Sequence, residues 1–332
     1  MKDSRLHFPW TFLACWLALP ATSLLAHGPG KQNDFDGKRV LFIGIDGCRA
    51  DALTEAMSRG LAPQMKALAE SGVLSHKIYA GGRKDTATHQ PTVSGPGWSS
   101  LLTGVWKDKH HVENNRFLGG RFQAYPHFLR RLEDVKPTAW SASFANWPEI
   151  HRFIADGSRA EGKEFLDEKF TALPDAALHG RDYPDLDIQI RDHALDSLRN
   201  RNPDVMFVYF AQVDEYGHGL IDPRANFSPD SNLYLHAIGI VDSHVGELVR
   251  AVRARPAFAE EDWLIILTTD HGGRGNSHGG DSDVERNIWL LAHGGHFEPG
   301  ELQQTAFGQT KVPHFIFRHL GLPSSPDWDV AP

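Results

Sequence analysis

Three short apolar runs set the architecture of this chain. Arg39 to Ile45 is β-branched and apolar up to Asp46-Gly47, Val205 to Ala211 stops three residues short of Asp214, and Trp263 to Thr269 ends at Asp270-His271. Each is too short for a core helix and none alternates polar with apolar residues, which is the pattern of a strand covered on both faces. Between them the spacing turns helical: Ala50 to Ser71 (Leu53, Met57, Leu61, Met65, Leu68), Ile188 to Arg199 and Leu233 to Arg255. Asn287 to Ala292 is a further predicted strand and Val312 to Leu320 a terminal helix. Strands alternating with helices predict an α/β fold, a mostly parallel central sheet with helices on both faces. Ligands of such sheets gather beyond the carboxyl ends of the strands, where the three aspartates fall.

The rest of the chain is organised around that core. Residues 105–187 are richer in Trp, Pro, Gly and charge, with weaker periodicity, and residues 219–232 carry turn formers such as Asp222-Pro223 and Ser228-Pro229-Asp230. Both are predicted to be insertions capping the site of a single domain over 38–325, preceded by a flexible segment over 27–37 and followed by a tail over 326–332. The length of 332 residues, with 41% apolar and 23% charged content, suffices for one large core. A formal charge of -8 without any run of five or more like charges argues against a surface for duplex nucleic acid.

Residues 1–26 read as a secretory signal peptide: Lys2 and Arg5, an apolar stretch from Phe8, then Ala26. Phe8 to Leu19 gives only about 12 apolar residues against the roughly 20 a spanning helix needs, and no later run is longer. The mature chain is therefore expected to be periplasmic or secreted, with no integral membrane segment. Removing Cys15 with the leader leaves Cys48 without an internal partner, so stability must come from the core or from bound metal.

The polar residues at the strand ends belong to a larger constellation. It comprises Asp46; Ser94 in Ser94-Gly95-Pro96-Gly97-Trp98 ahead of Leu101-Leu102-Thr103-Gly104; Asp214 and His218 in Asp214-Glu215-Tyr216-Gly217-His218; Asp270-His271-Gly272; and His278-Gly279. Singly, each aspartate suits a cap or turn and each histidine a solvated or core side chain. Together, three carboxylates and three imidazoles are the donors that zinc-type divalent ions take, and they divide into two three-ligand sets with a position open on each. A serine hydroxyl beside such ions is an activated nucleophile, because the cation lowers its pKa.

The order of these pieces resembles the alkaline phosphatase superfamily, and within it the type I phosphodiesterase and nucleotide pyrophosphatase branch. The resemblance covers residues 38–325 and includes Asn146-Trp147-Pro148. It implies an alkaline-phosphatase-like fold and a two-metal phosphoesterase acting on small-molecule phosphate esters. One ion would be held by Asp46, Asp270, His271 and Ser94, the other by Asp214, His218 and His278, with zinc expected first and manganese as the alternative. Ser94 would attack phosphorus and pass through a phosphoseryl intermediate. Gly97 brings no side chain to a nonbridging phosphate oxygen, which leaves a backbone amide of the turn at Gly95 or the side chain of Asn115. Trp147 and Trp98 are candidates to stack on a substrate ring, and Arg83, Lys84 and Arg116 to steer an anion; His89, His110 and His111 are expected to be solvated loop residues.

Three rivals share these residues. A phosphomonoesterase would use the same site. Sulfatases of this fold mature a Cys or Ser in Cys/Ser-x-Pro-x-Arg to formylglycine, but here Trp98 takes the place of the Arg. A metal-stabilised binding protein without catalysis would be expected to lack a ligand or the nucleophile, and all seven residues are present.

Overall fold

The computed structural model describes residues 35–295, 297, 302–303 and 306–330. The expected signal peptide lies outside the described residues, as do most of the segment over 27–37 and the last two residues of the tail.

Eight strands form one sheet in the order β4-β3-β5-β1-β6-β7-β2-β8. They are β1 (Lys38–Ile45), β2 (Val73–Tyr79), β3 (Ser141–Ala145), β4 (Glu168–Thr171), β5 (Val205–Phe210), β6 (Asp262–Thr268), β7 (Asn287–His293) and β8 (Phe307–Gly308). Only β7 runs against its neighbours β6 and β2; the other pairings are parallel. The three apolar runs that end at aspartates are the adjacent central strands β5, β1 and β6, buried on both faces as their unbroken hydrophobicity requires.

The helices are α1 (Ala50–Ser58), α2 (Pro63–Ser71), α3 (Ser94–Thr103), α4 (Lys107–His110), α5 (Phe128–Val135), α6 (Tyr183–Asn200), α7 (Gln212–Gly217), α8 (Asn232–Arg253), α9 (Asp283–Arg286) and α10 (Val312–His319). Helix α8 packs on α1, α2, α6 and α7, while α3 packs on α4 and α10, giving two separate helical groups about the sheet.

Two expectations change. The helical pattern over Ala50 to Ser71 is two helices, because Pro63 occupies the first turn of α2 and disfavours helical backbone in the residue before it. Residues 105–187 are not only a cap: they supply β3 and β4, which extend the central sheet beyond β5. Residues 219–231 form a loop that ends where α8 begins at Asn232, with Phe227 bridged to Gly275. Cys48 is a buried free thiol. Among the described residues no helix is long and apolar enough to cross a membrane.

Candidate active site

Because β1 lies between β5 and β6, the sheet delivers three carboxylates to one place. Asp46 follows β1 directly, Asp270 and His271 lie just past β6, and the chain leaving β5 turns into α7, which carries Asp214. That turn is anchored from behind. Buried Asp187 of α6 accepts at Oδ1 from the Ala211 N–H at 3.1 Å and from Asn146 Nδ2 at 2.5 Å, tying α6 and the end of β3 to the start of α7. Ser94 begins α3 with its hydroxyl among the carboxylates.

The donor atoms of the two expected ligand sets lie within a few ångströms of one another. Ser94 Oγ is 3.3 Å from Asp46 Oδ1 and 3.3 Å from His271 Nε2; His271 Nε2 is 3.6 Å from Asp46 Oδ1 and 3.2 Å from Asp270 Oδ2. In the second set, His218 Nε2 is 3.3 Å from Asp214 Oδ2 and His278 Nε2 is 3.7 Å from Asp214 Oδ1. Ligands about 2.0–2.1 Å from a tetrahedral ion stand roughly 3.3 Å from one another, so these separations fit divalent cations. Asp270 Oδ2 and Asp214 Oδ1 are buried with no hydrogen-bond partner. The tightest groupings are Asp46 with Asp270 and His271, and Asp214 with His271 and His278; His218 joins through the other oxygen of Asp214.

All three imidazoles are oriented in the same way. Nδ1 of His271, His278 and His218 lies 2.9, 3.0 and 2.9 Å from the carbonyl oxygens of Gly272, Thr92 and Asn276 respectively. Each Nδ1 must donate to that carbonyl, which turns each Nε2 into the site, where it can hold a cation in place of a proton. Asp46 is divided similarly: Oδ2 accepts from Trp98 Nε1 at 2.8 Å and from the Tyr209 hydroxyl at 2.5 Å, leaving Oδ1 toward Ser94.

The electrostatics of the set call for cations. Burial, then the charge of Asp214, pushes Asp46 up to about 7, and burial with both other aspartates carries Asp270 well above the usual carboxylate range. Asp214 is pushed up by burial too, but His278 and His218 outweigh this and hold it at about 2. Burial lowers His218, yet the hydrogen bond to Asp214 raises it to about 9, while burial and then His278 hold His271 well below its usual value. Three carboxylates this close cannot all ionise without added positive charge, which divalent cations held by these residues would supply.

A cleft of about 310 Å3 opens over the set, lined by Asp46, Ser94, Asp214, His218 and His278 and walled by Asn115, Trp147, Tyr183, Tyr209, Glu215 and Leu220. The seven residues expected to carry metal and nucleophile thus meet at one site. The candidates for substrate contact fare differently. The Gly95 amide is not free, because it donates to Asn115 Oδ1 at 2.7 Å; that bond holds the Asn115 side chain at the cleft. Trp147 lines the cleft with its ring 6.4 Å from that of Tyr209. Trp98 is fully buried behind Asp46 and is no stacking platform. Gly97 is explained by close packing: a Cβ there would lie 2.9 Å from Asp270 Cβ and 3.0 Å from Oδ2.

Sequence reasoning missed Tyr209, Tyr183 and Glu215. Tyr209 is the one polar-tipped side chain within the apolar run of β5, and Glu215 directly follows Asp214. Burial and then Asp214 push Glu215 up to about 8. Of the three loop histidines, His110 is instead fully buried and His89 pairs with Asp281 at 2.8 Å; His111 is exposed.

A family model described as type I phosphodiesterase / nucleotide pyrophosphatase matches residues 40–294. Among curated proteins the chain is similar to GPI ethanolamine phosphate transferase 1 of Gibberella zeae, 25% identical over 259 residues, 70% of this chain and 23% of that protein. The protein of the same description from Aspergillus fumigatus is 23% identical over 238 residues, 66% of this chain and 20% of that protein. The chain therefore spans between a fifth and a quarter of the length of these relatives. Among solved structures it is similar to a 2-O GAG sulfatase, with TM-score 0.64 and 13% identity over 89% of this chain and 72% of that one. A phosphonate monoester hydrolase from Silicibacter pomeroyi gives TM-score 0.61 and 15% identity over 88% and 75%. These two likenesses are of fold, the alkaline-phosphatase-like arrangement expected from the sequence.

Proposed function

The chain belongs to the type I phosphodiesterase / nucleotide pyrophosphatase family, enzymes that hydrolyse phosphoric ester bonds, and from that premise we propose that it cleaves phosphodiester or pyrophosphate bonds through a phosphoseryl intermediate on Ser94. The observation that carries this reading is the position of Ser94 Oγ, 3.3 Å from both Asp46 Oδ1 and His271 Nε2 at the floor of the cleft.

Asp46, Asp270, His271 and Ser94 would hold one divalent ion and Asp214, His218 and His278 the other, zinc first and manganese second. Such ions supply the charge that lowers the serine pKa and offsets the developing charge on the departing oxygen. The protein does the rest. Trp98 and Tyr209 fix Asp46, and the backbone carbonyls of Gly272, Thr92 and Asn276 fix the three imidazoles. Asn115, held through Oδ1, offers its Nδ2 hydrogens to a nonbridging phosphate oxygen. Ser94 Oγ bonds to phosphorus as the ester oxygen leaves with its electron pair, and the proton given up by Oγ ends on that departing oxygen. Water then attacks the phosphoserine, releasing the phosphorylated product and returning a proton to Ser94 Oγ. With residues 1–26 as a cleaved leader, this chemistry would take place in the periplasm or outside the cell.

The name of the curated relatives favours a second reading, transfer of the phosphoryl group to an acceptor hydroxyl in place of water. Assays of pure zinc- or manganese-loaded protein on bis-p-nitrophenyl phosphate and p-nitrophenyl phosphate test the first reading, and added acceptor alcohol tests the second. Faster diester cleavage is expected. Turnover of monoesters alone would assign the site to a phosphomonoesterase, and an alcohol-derived ester as the main product would favour transfer.

A further inference from the structure

Among the described residues no lysine or arginine lines the cleft. The cations expected to steer an anion are elsewhere: Lys84 Nζ donates to the Asp281 carbonyl oxygen at 2.8 Å, and Arg83 borders a different pocket beside Tyr79 and Trp106. Arg116 is exposed and is not among the lining residues. Positive charge for a phosphoryl group therefore rests on the proposed ions, and the residues that fix their ligands govern the site.

A single hydrogen bond at Nδ1 fixes one point of an imidazole and leaves its plane free to tilt. Phe227, from the loop over 219–231, supplies a second contact to two of the three rings. Its own ring stands edge-on to both, 5.2 Å from that of His218 at 86° and 5.9 Å from that of His278 at 89°. Ring quadrupoles favour this arrangement. Phe227 is only 1% exposed, and Tyr234 packs on it with centroids 5.6 Å apart.

Two glycines make room for the ring. A Cβ at Gly217, the residue before His218, would lie 2.3 Å from Phe227 Cε1, and one at Gly273, two residues after His271, would lie 2.4 Å from its Cγ. Neither glycine has a positive φ, so space and not backbone conformation calls for glycine there. The backbone of Phe227 is pinned as well. Its N–H donates to the Gly275 carbonyl at 2.7 Å, and its carbonyl accepts from Nη1 of buried Arg49 at 2.6 Å; the same Nη1 donates to the Gly273 carbonyl at 3.2 Å. Asn276, whose carbonyl holds His218, donates through Nδ2 to the carbonyls of Gly217 at 3.2 Å and Ala225 at 2.7 Å. A loop expected only to cap the site is thus seated against the second ligand set.

We propose that Phe227 is a positioning residue that sets the planes of His218 and His278, so that seating of the 219–231 loop completes the Asp214 set. The inference rests on Asp214, His218 and His278 holding one ion, and it deepens that reading by naming what orients the two rings.

The test counts ions. Full-chain protein loaded with zinc is titrated with a competitive chelator, and the zinc left per chain is read by metal analysis. Phe227→Leu keeps an apolar side chain but removes the ring. It is expected to weaken one of the two ions by about tenfold or more, as the loss of a supporting partner does, and to leave the other within about twofold. Phe227→Met, which fills more of the same space, is the second variant should the first not fold. Phe317→Leu in α10, a ring equally buried, is the control: its melting temperature should fall with both zinc affinities unchanged. In His278→Ala, where the Asp214 set already lacks a ligand, adding Phe227→Leu is expected to cost less than about threefold more. Unchanged affinities, an equal loss at both ions, or losses that simply multiply in the His278→Ala background overturn the positioning role while leaving the two-ion site intact. Failure of both Phe227 variants to fold would make Phe227 a core residue and overturn it too. A wild type that takes up one ion only overturns the two-set reading and the inference with it.

Discussion

The indole of Trp98 donates to Asp46 Oδ2 at 2.8 Å, and the same indole packs edge-on against Tyr209, which donates to that oxygen as well. A side chain in the position where sulfatases carry arginine therefore acts here on the carboxylate beside the nucleophile, reaching it from the core. Replacing Trp98 with Phe keeps an aromatic body but removes one of the two bonds that hold Oδ2. Zinc affinity is expected to fall about 10–100-fold, the usual cost of losing such a supporting bond. A competitive chelator titration checks this, and unchanged affinity would show that Tyr209 alone suffices.

Gly97 packs against Asp270 with no room for a side chain. In Gly97→Ala the new methyl must displace the Asp270 carboxylate or shift α3. Overpacking of this kind costs about 1–3 kcal/mol, and here the displaced group is a proposed metal ligand. The variant is expected to bind at least about tenfold less zinc at a limiting concentration, with a lowered melting temperature. Metal analysis and a thermal melt read the two effects separately.

Acid should destabilise the protein through histidines remote from the cleft. Burial holds His110, His127 and His151 each at about 3, against an ordinary 6.5. Nδ1 of His110 accepts the Val112 N–H at 3.0 Å and Nδ1 of His127 accepts the Leu129 N–H at 3.0 Å, so these two rings are neutral in the fold. With folded values below the unfolded one, the unfolded chain takes up more protons between pH 6.5 and pH 3. The stability contributed is complete above 6.5 and is lost as pH falls through that window, by up to about 1.4 kcal/mol per pH unit for each ring. His127→Asn retains an acceptor for the Leu129 N–H. Urea denaturation at a series of pH values should show its stability falling less steeply below 6.5 than that of the wild type; identical slopes would contradict the account.

The parts of this molecule that were legible in the sequence are those whose burial is written in composition. β1, β5 and β6 are unbroken apolar runs, so their type and their burial on both faces followed, with an aspartate at or near the end of each; that they lie side by side is seen only in the fold. β3 and β4 were hidden because Ser141-Ala142-Ser143-Phe144-Ala145 and Glu168-Lys169-Phe170-Thr171 have small or charged side chains, and only the neighbouring strand makes them part of the sheet. The proposed ligands were visible as residue types in a recognisable order. The residues that position them were not: the Trp98 and Tyr209 bonds to Asp46, the Asp187 anchor of α7 and the burial of His110 all depend on contacts distant in the chain. The capture of the Gly95 amide by Asn115 was equally out of reach, since it links a helix start to a loop twenty residues on.

The central claim, that Ser94 is the group that takes the phosphoryl unit between two metal sets, is tested most directly by Ser94→Ala. The metal content and the rate on bis-p-nitrophenyl phosphate are measured on the same preparation. Loss of turnover by at least about 1,000-fold is expected, since removing a nucleophile leaves only what binding and electrostatics supply, with metal content staying near that of the wild type. Retained turnover at full metal content would contradict the assignment.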